Sequence, residues 1–271
     1  KLTAFAPHTT GILLGVGKDM EINKEEVEQR FRRSRISYND NARVQKMVVN
    51  RMIPMILSSV KRVPEKILEI GCGTGLLTSQ LQRTFSSDGL YLNDLVEELC
   101  YHAATVNRVS LTHCFPGDVE KLFLPLSFDL IASASTFQWF TTPEETFKKL
   151  SKRLEQNGVL VFSTFGKFNL REIRLTTGGG LDYRSKEELE KMLELYFKIE
   201  LIEEEFYMLE FDSPLAVLQH LKKTGVNVSG DSTIWTKGRV DAFIKDYNAR
   251  FAIDGKVTLT YHPLYFVCRK R

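Results

Sequence analysis

The sequence predicts an α/β protein built on a parallel sheet with helices on both of its faces. Three observations predict it: short apolar runs alternate with helical patterns over residues 66–165, one apolar run ends in the glycine turn KILEIGCGTGLL of residues 66–77, and a helical pattern follows that turn at once. Parallel strands need crossover connections, which helices supply. Because ligands of such sheets bind beyond the carboxyl ends of the strands, the glycine turn lies at the expected binding edge.

The chain before the first predicted strand divides into two parts. We expect residues 1–20 to be a leader or mobile arm, because their short apolar centre is no credible signal-peptide core. From 22 to 57 apolar residues recur at helical spacing, with Val27 and Phe31 four apart. This pattern predicts two helices, or one broken helix. We interpret residues 21–62 as a helical lid.

Strands and helices alternate over the next hundred residues. The predicted helices cover 76–85, 96–107 and 143–154, and the predicted strands cover 66–70, 90–93, 111–115, 128–133 and 158–165. The third helix has a clear start, with Thr142 as N-cap, Pro143 at the first helical position and Glu145 in the first turn. This rhythm predicts the parallel sheet.

Beyond Gly166 the rhythm changes. Three glycines at 178–180 predict a loop, and Ser185 with Glu188 predicts a capping box that opens a helix to about 197. Further elements are predicted as a strand over 198–211, helices over 213–224 and 237–251, and a closing strand over 257–268. Residues 212–254 are too many for a hairpin between the last two strands. We therefore expect a helical cap there, inserted in a domain of residues 63–271.

Composition excludes several classes of protein. Net charge is +3 without concentrated basic runs, so no nucleic-acid partner is expected, and no apolar run approaches the roughly 20 residues that span a bilayer. The four cysteines lack CxxC spacing, which indicates reduced thiols and no metal site: Cys72, Cys100, Cys114 and Cys268. We expect a cytoplasmic monomer that does not bind membranes.

The spacing of the glycines narrows the choice of ligand class. Gly71, Gly73 and Gly75 give GxGxG, whereas the dinucleotide fingerprint GxGxxG would place a glycine at Leu76. A phosphate-binding P-loop would need Gly-Lys-Ser or Gly-Lys-Thr after the turn, and neither occurs. Glu69 just before the turn would repel a pyrophosphate, but it suits a ligand that carries an ammonium and a sulfonium.

Two further acids follow neighbouring strands. Asp94 lies nineteen residues past Gly75, at the end of the second strand, where it is placed to accept two ribose hydroxyl hydrogen bonds. Asp118 follows the third strand and could accept from an adenine amino group. Together with Glu69, these acids describe a site for S-adenosyl-L-methionine.

The pattern E-x-G-x-G-x-G, with acids after strands two and three, resembles the class I S-adenosylmethionine-dependent methyltransferases over about residues 63–165. The resemblance implies a Rossmann-like three-layer sandwich of seven strands, the last of them antiparallel, and S-adenosyl-L-homocysteine as the product. It also implies a set of cofactor-binding positions: Glu69, Gly71, Cys72, Gly73, Gly75, Asn93, Asp94, Leu95, Asp118, Val119 and Ser133.

Several segments, in the core and outside it, resemble one family of these enzymes. Residues 31–38, FRRSRISY, followed by Gln45, are similar to the FxxxAxxY…Q segment of the malonyl-acyl-carrier-protein O-methyltransferases of biotin synthesis, although Ser34 stands where alanine is common. Segments 135–140, 158–165, 218–225 and 259–262 resemble that family in the same order. The resemblance implies a malonyl thioester on acyl carrier protein as the methyl acceptor.

The chemistry of that reaction fits the sequence. A malonyl carboxylate is already ionised at pH 7, so its methylation needs no general base, and no catalytic triad or His-Asp pair is evident. We expect Tyr38 to act as a lid and Gln138 and Trp139 to form pocket walls, with His262 directed to the site. For Tyr38, Trp139 and His262 the alternative is a packing or structural role.

An acidic carrier protein would dock on a basic surface. The charges of that surface would mainly steer the carrier protein toward the site during association. The candidate cations flank the predicted cap and the glycine loop, although each could be an ordinary surface charge: Lys222, Lys223, Lys237, Arg239, Arg171 and Arg174. Two other functions remain open, a methyltransferase for another small carboxylic acid or small molecule, and a cofactor-binding regulatory protein without turnover. An RNA methyltransferase is disfavoured because no Asn-Pro-Pro-Tyr motif follows strand four.

Overall fold

The computed structural model describes residues 22–34, 43–225 and 236–271. Two helices, α1 (Lys24–Ser34) and α2 (Arg43–Ser59), precede the first strand, as the apolar spacing predicts. The predicted leader or arm of residues 1–20 lies outside the described residues. Helix α2 buries one apolar face, which includes Val48, Met52 and Ile56, against the sheet.

The central part of the chain alternates as predicted. Its helices are α3 (Leu76–Phe85), α4 (Glu97–Val106) and α5 (Pro143–Arg153), and its strands are β1 (Ile67–Ile70), β2 (Leu90–Asp94), β3 (Cys114–Pro116), β4 (Phe128–Ser133) and β5 (Leu154–Phe165). The third strand differs from the expectation of residues 111–115. The Ser110 hydroxyl accepts the N–H of Thr112 at 3.3 Å, and this local turn keeps 111–113 in a 3₁₀ helix.

The second half adds the helices α6 (Arg171–Thr177), α7 (Lys186–Glu194), α8 (Pro214–Lys223) and α9 (Lys237–Phe251), and the strands β6 (Phe197–Glu204), β7 (Tyr207–Phe211), β8 (Ala252–Ile253), β9 (Lys256–Tyr261) and β10 (Pro263–Lys270). The capping box before α7 is confirmed: the Ser185 hydroxyl accepts from Glu188 N at 3.1 Å, and Glu188 Oε2 accepts from Ser185 N at 2.6 Å. Helix α6 was not predicted.

The main sheet confirms the predicted fold class. Its seven strands lie in the order β3-β2-β1-β4-β5-β10-β6. Strand β10 is antiparallel to both neighbours, whereas the pairs among the first five strands are parallel. Because strand side chains alternate, the sheet has two apolar faces. One face packs on α2, α3 and α4, and the other packs on α5 and α7.

Two long predicted strands are each divided between two sheets, which corrects the prediction. The run 198–211 breaks after Glu204, and the run 257–268 breaks at His262. The first run gives β6 and β7, and the second gives β9 and β10. Strands β6 and β10 join the main sheet, whereas β7 and β9 form a small antiparallel sheet with β8. The two breaks lie side by side, because Glu205 N donates to Pro263 O at 3.0 Å. Periodicity alone does not mark such a change of sheet.

The insertion between β6 and β10 is therefore not only helical. It contains the small sheet with α8 and α9 against it, and the Tyr247 hydroxyl in α9 donates to Thr258 O at 2.7 Å. Helix α6, which follows β5 in the chain, is bonded to the insertion, since Glu172 accepts hydrogen bonds from Thr260 N at 3.0 Å and Thr260 Oγ1 at 2.5 Å. The division into lid, body and cap stays a prediction.

No helix within the described ranges is long and apolar enough to cross a bilayer. Across the same ranges, no group of three or more His, Cys, Asp or Glu side chains is arranged to hold a metal ion.

The aromatic stack on the α5 face of the sheet gives a stability prediction. Phe162 is fully buried, with ring centroids 4.3 Å from Phe137 and 4.9 Å from Phe266. We expect Phe162→Ala to lower the free energy of unfolding by about 3–5 kcal/mol, because it removes buried surface and leaves a cavity. The matched control is Phe123→Ala at a ring that is 74% exposed, with an expected loss below about 1 kcal/mol. Equal losses in urea denaturation would contradict this account of the core.

Candidate active site

The glycine turn after β1 is held against the end of β2. The backbone N–H groups of Gly71 and Cys72 both donate to the carbonyl of Asn93, at 2.8 and 3.0 Å. Gly71 has a φ of +70°, and a Cβ added there would lie 2.1 Å from Thr136 Oγ1. Glycine is required because the loop after β4 packs directly on this backbone.

The other two glycines of the turn differ in their surroundings. A Cβ on Gly75 would lie 2.5 Å from Asn107 Nδ2, so this glycine allows α3 to begin close to the end of α4. A Cβ on Gly73 would meet nothing within 4 Å, because its α-carbon faces the cavity. Backbone therefore forms the cavity wall at Gly73.

Asp94, at the end of β2, forms hydrogen bonds with the glycine turn and with the loop that follows β2. Its Oδ2 accepts from Gly73 N at 2.7 Å, and its Oδ1 accepts from Val96 N at 2.8 Å. Burial raises the pKa of Asp94 to about 6, while these two hydrogen bonds oppose the rise. A carboxylate has about four lone-pair positions, so both oxygens can still accept a hydroxyl hydrogen bond.

Asn93 links the end of β2 to the loop after β3. Its side-chain Nδ2 donates to the carbonyl of Phe115 at 2.6 Å and to that of Gly117 at 3.0 Å. This places Asp118 beside the cavity. Asp118 Oδ1 accepts from Glu120 N at 3.0 Å and from Lys24 Nζ at 2.6 Å. Its Oδ2 is buried and accepts no hydrogen bond within the described part of the chain.

These elements surround a cleft of about 860 Å³, part of which is open to solvent. Eight of the residues predicted from sequence line it: Gly71, Gly73, Asn93, Asp94, Leu95, Asp118, Val119 and Trp139. The carboxyl ends of β1, β2 and β4 and the loop after β3 thus meet at one cavity.

Other predicted residues support the cavity from behind. Cys72 is buried within the turn, and Gly75 begins α3. The Ser133 hydroxyl donates to Ile70 O at 2.8 Å, which joins β4 to β1. Gln138 was expected to be a pocket wall, but it is buried behind the wall. Its Nε2 donates to Ser135 O at 2.5 Å, and its Oε1 accepts from Thr164 Oγ1 at 3.3 Å.

Ser135, which Gln138 holds, lines the cavity with a φ of +55°. Its N–H donates to the carbonyl of Ser163 at 3.1 Å and to the Ser163 hydroxyl at 3.0 Å. Left-handed backbone is costly outside glycine and persists where neighbours fix it. Sequence reasoning missed Ser135, since nothing in its local sequence marks the strain.

His262 was expected to face the site, and the structure places it elsewhere. Its Nε2 lies 2.7 Å from Glu204 Oε1, its Nδ1 accepts from Phe168 N at 3.1 Å, and its ring stacks on Phe206 with centroids 4.4 Å apart. Both ring nitrogens are engaged, and His262 is not a lining residue of the cavity. It packs at the junction between the main sheet and the insertion, where a buried ring needs these partners.

Glu69 also lies outside the cavity lining. It is 1% exposed on β1, beneath the turn, and its Oε2 has no hydrogen-bond partner among the described residues. Burial is the main cause that raises the pKa of Glu69 to about 8. The side chain is thus mostly protonated at pH 7 in the ligand-free chain, and its predicted role in binding stays a prediction.

Helix α1 contributes side chains to the wall of the cavity, and its role as a lid stays a prediction. Lys24, Val27 and Phe31 line it, and the Phe31 ring meets Trp139 edge to face with centroids 5.7 Å apart. From sequence, Val27 and Phe31 were assigned to a helical stripe and Phe31 also to the family-like segment 31–38, whereas Lys24 was not selected. Tyr38, the predicted lid tyrosine, lies outside the described residues.

The residues present fit a nucleoside that carries no phosphate. Lys24 is the only cation among the described lining residues, and its ammonium is paired with Asp118 and Glu120. Asp94 can still accept hydroxyl hydrogen bonds, and Asp118 Oδ2 can accept from an amino group. Acceptors of this kind suit a ribose and an adenine, whereas a pyrophosphate would meet uncompensated negative charge.

Comparison with known proteins identifies the family. The methyltransferase domain family matches residues 68–162. A malonyl-acyl-carrier-protein O-methyltransferase from Bacteroides thetaiotaomicron is 39% identical over 92% of this chain and 99% of its own length. The chain belongs to the malonyl-acyl-carrier-protein O-methyltransferase family. A relative of the same name from Haemophilus influenzae is 36% identical over 94% of this chain and 97% of its own.

Solved structures agree on the fold of this methyltransferase. A methyltransferase from Bacillus halodurans matches 81% of this chain and 98% of its own, with a TM-score of 0.60 and 16% identity. An N-methyltransferase from Bradyrhizobium japonicum, solved with S-adenosyl-L-homocysteine, matches 90% and 98% with a TM-score of 0.54 and 16% identity. The class I methyltransferase fold and the family resemblance inferred from sequence are both confirmed.

The burial of Glu69 predicts a pH effect on stability. Its pKa is about 8 in the folded chain, against 4.5 for an unperturbed glutamate. Between these values the folded state binds a proton that the unfolded state has lost, so stability falls as pH rises through this window. In wild type, Glu69 should contribute a fall in the free energy of unfolding of up to about 1.4 kcal/mol per pH unit. We expect Glu69→Gln to abolish this contribution. Denaturation of the ligand-free protein across pH 5–8 measures it.

The matched control for this prediction is Glu65→Gln, at an exposed glutamate four residues earlier. It should leave the pH dependence of wild type unchanged. An unchanged slope in Glu69→Gln would show that Glu69 is ionised in the folded protein.

Proposed function

We propose that this chain transfers a methyl group from S-adenosyl-L-methionine to the free carboxylate of a malonyl thioester on acyl carrier protein. The products are the malonyl methyl ester, which primes pimeloyl synthesis for biotin, and S-adenosyl-L-homocysteine. The observation that carries the proposal is the match to relatives of that name over 92% of the chain. The unmatched remainder is shorter than the insertion between β6 and β10, so the match extends beyond the core shared by all methyltransferases.

The cavity supports the choice of cofactor. Asp94 would accept the two ribose hydroxyls, Asp118 Oδ2 would accept the adenine amino group, and the backbone at Gly71 and Gly73 would pass close to the methionine part. When bound, the cofactor supplies an electrophilic methyl group on its sulfonium. The chain itself must hold it and bring the acceptor in line.

This acceptor needs no base, and the only carboxylates in the described lining are Asp94 and Asp118. A carboxylic acid titrates near 4, so the malonyl group arrives as a nucleophilic carboxylate. Asp94 and Asp118 are both engaged in hydrogen bonds that hold the site together. The contribution of the protein is to orient the carboxylate and exclude water, for which Val27, Phe31 and Trp139 provide apolar cover.

A carrier protein with an acidic surface would dock on basic residues of the insertion. Lys222 and Lys223 at the end of α8 and Lys237 and Arg239 at the start of α9 are exposed, which fits steering of an acidic partner. Arg171 is exposed but also near Glu172 at 3.5 Å, and Arg174 donates to the carbonyl of Lys167. A cation from this region would hold the second carboxylate oxygen.

Two alternatives remain candidates: methylation of another small carboxylic acid or small molecule, and a cofactor-binding regulatory role without turnover. The ordered cofactor side of the cavity and the long match to named enzymes favour catalysis. We also propose that the protein is a cytoplasmic monomer that binds no nucleic acid, which size-exclusion chromatography with light scattering would test for the oligomeric state.

The function is tested by intact-mass analysis of malonyl-acyl carrier protein incubated with the protein and S-adenosyl-L-methionine. We expect a gain of one methylene on the carrier protein, and a loss of most activity in Asp94→Asn, which weakens the ribose acceptor. Asp88→Asn, at an exposed aspartate before β2, is the matched control and should keep full activity.

Parallel reactions offer malonyl-coenzyme A and free malonate. Methylation of these acceptors with none on the carrier protein would contradict the proposed acceptor and favour the small-molecule alternative. No methylation of any acceptor, with cofactor binding intact in calorimetry, would favour the regulatory alternative.

A further inference from the structure

The Glu120 carboxylate, which no sequence motif marks, is surrounded by hydrogen-bond donors. Its Oε1 accepts from Thr142 N at 2.6 Å, Thr142 Oγ1 at 2.8 Å and Thr146 Oγ1 at 3.4 Å. Its Oε2 accepts from Thr141 N at 2.9 Å, Thr141 Oγ1 at 3.1 Å and the ammonium of Lys24. Thr142, predicted as a side-chain cap of α5, therefore directs its hydroxyl to Glu120 and makes no cap hydrogen bond.

These bonds join three separate parts of the chain. Glu120 belongs to the loop after β3, the threonines lie before and within the first turn of α5, and Lys24 begins α1. The Glu120 side chain is only 3% exposed. Burial opposes its charge, but the hydrogen bonds from Lys24, Thr141 and Thr142 outweigh burial and lower the pKa of Glu120 to about 2. The carboxylate is therefore charged at pH 7.

The same contacts act on Asp118. Its Oδ1 accepts from Glu120 N and from Lys24 Nζ, while its buried Oδ2 accepts nothing from the described residues. One oxygen is thus fixed, and the other is left as an acceptor on a residue that lines the cavity. Lys24 lines the cavity too, and its two ion pairs hold the first turn of α1 against the loop.

We propose that Glu120 is a positioning residue for cofactor recognition. By joining the loop after β3 to α5 and, through Lys24, to the lid helix α1, it orients Asp118 Oδ2 toward the adenine amino group. The inference rests on the cofactor assigned under the proposed function. It does not depend on the identity of the methyl acceptor.

Glu120→Gln is the variant that separates positioning from general stability. The amide has nearly the shape of the carboxylate, but its NH₂ group would face either the threonine N–H groups or the Lys24 ammonium. The loop should then move and Asp118 should lose its orientation. The matched control is Asp129→Asn, because Asp129 accepts from Glu65 N and Lys66 N at 3.0 Å and from Arg62 at 3.2 Å, away from the cavity.

The readout is discrimination at the adenine amino group. Calorimetry compares the dissociation constants of S-adenosyl-L-homocysteine and of its deaminated analogue, S-inosyl-L-homocysteine, in which a carbonyl replaces the amino group. Wild type and Asp129→Asn should prefer the adenosyl compound by about tenfold or more, the effect of one charge-assisted hydrogen bond. In Glu120→Gln this preference should fall to about twofold or less.

A second variant tests the same contact from its other partner, in case Glu120→Gln does not fold. Lys24→Met keeps an unbranched side chain that is one heavy atom shorter at the start of α1, and it removes the ammonium with its hydrogen bonds to Asp118 and Glu120. We expect reduced discrimination and faster release of S-adenosyl-L-homocysteine. Lys186→Met, which breaks the ion pair with Glu204 at 3.1 Å, is its matched control and should change neither.

Two outcomes would overturn the inference in different ways. Full discrimination in both Glu120→Gln and Lys24→Met, or an equal loss of affinity for both ligands without a change in their ratio, would show that Glu120 has no positioning role. Failure of the wild-type protein to bind S-adenosyl-L-homocysteine would overturn the cofactor assignment, and the inference with it.

Discussion

The contact between the glycine turn and the end of β2 is the constraint on which the site depends. The carbonyl of Asn93 accepts two backbone N–H groups of the turn, and the Asp94 carboxylate accepts a third from Gly73. These bonds fix the turn only if the backbone has a positive φ and no side chain at Gly71, where Thr136 fills the space. The conformation of the glycine turn therefore brings the ends of β1 and β2 and the loop after β4 together around one cavity.

Much of this arrangement could be predicted from sequence because it follows from local rules. Alternating apolar runs and helical stripes predict the parallel sheet, and the carboxyl ends of parallel strands meet at one edge. Asp94 and Asp118 could therefore be assigned to one site although 24 residues separate them in the chain. The replacement of the last fingerprint glycine by Leu76 excluded a dinucleotide, and the family match agrees with that choice.

Other features depend on contacts that no local pattern encodes. Lys24 meets Asp118 and Glu120 across 94 and 96 residues, and the pairing becomes visible only when α1 lies over the sheet edge. The two divided strands keep continuous strand character through Glu205 and His262, so the change of sheet is set by tertiary pairing. His262 and Gln138 were selected by residue type, but their side-chain polar atoms form hydrogen bonds with neighbouring residues of the protein.

The cavity therefore has two kinds of wall. One wall is built from backbone and strand-end acids of the sheet, and the other from the ion-paired first turn and apolar side chains of α1. The insertion, with its small sheet, is connected to α6 through Glu172, and His262 at its end is bonded to Asn169 and to Glu204 of β6.

A crystal structure of the protein with S-adenosyl-L-homocysteine tests the central claim most directly. The account predicts both ribose hydroxyls within hydrogen-bonding distance of the Asp94 carboxylate, the adenine amino group at Asp118 Oδ2, and α1 closed over the ligand. A ligand bound in this cleft whose ribose does not contact Asp94, or a cofactor bound at another place, would contradict it.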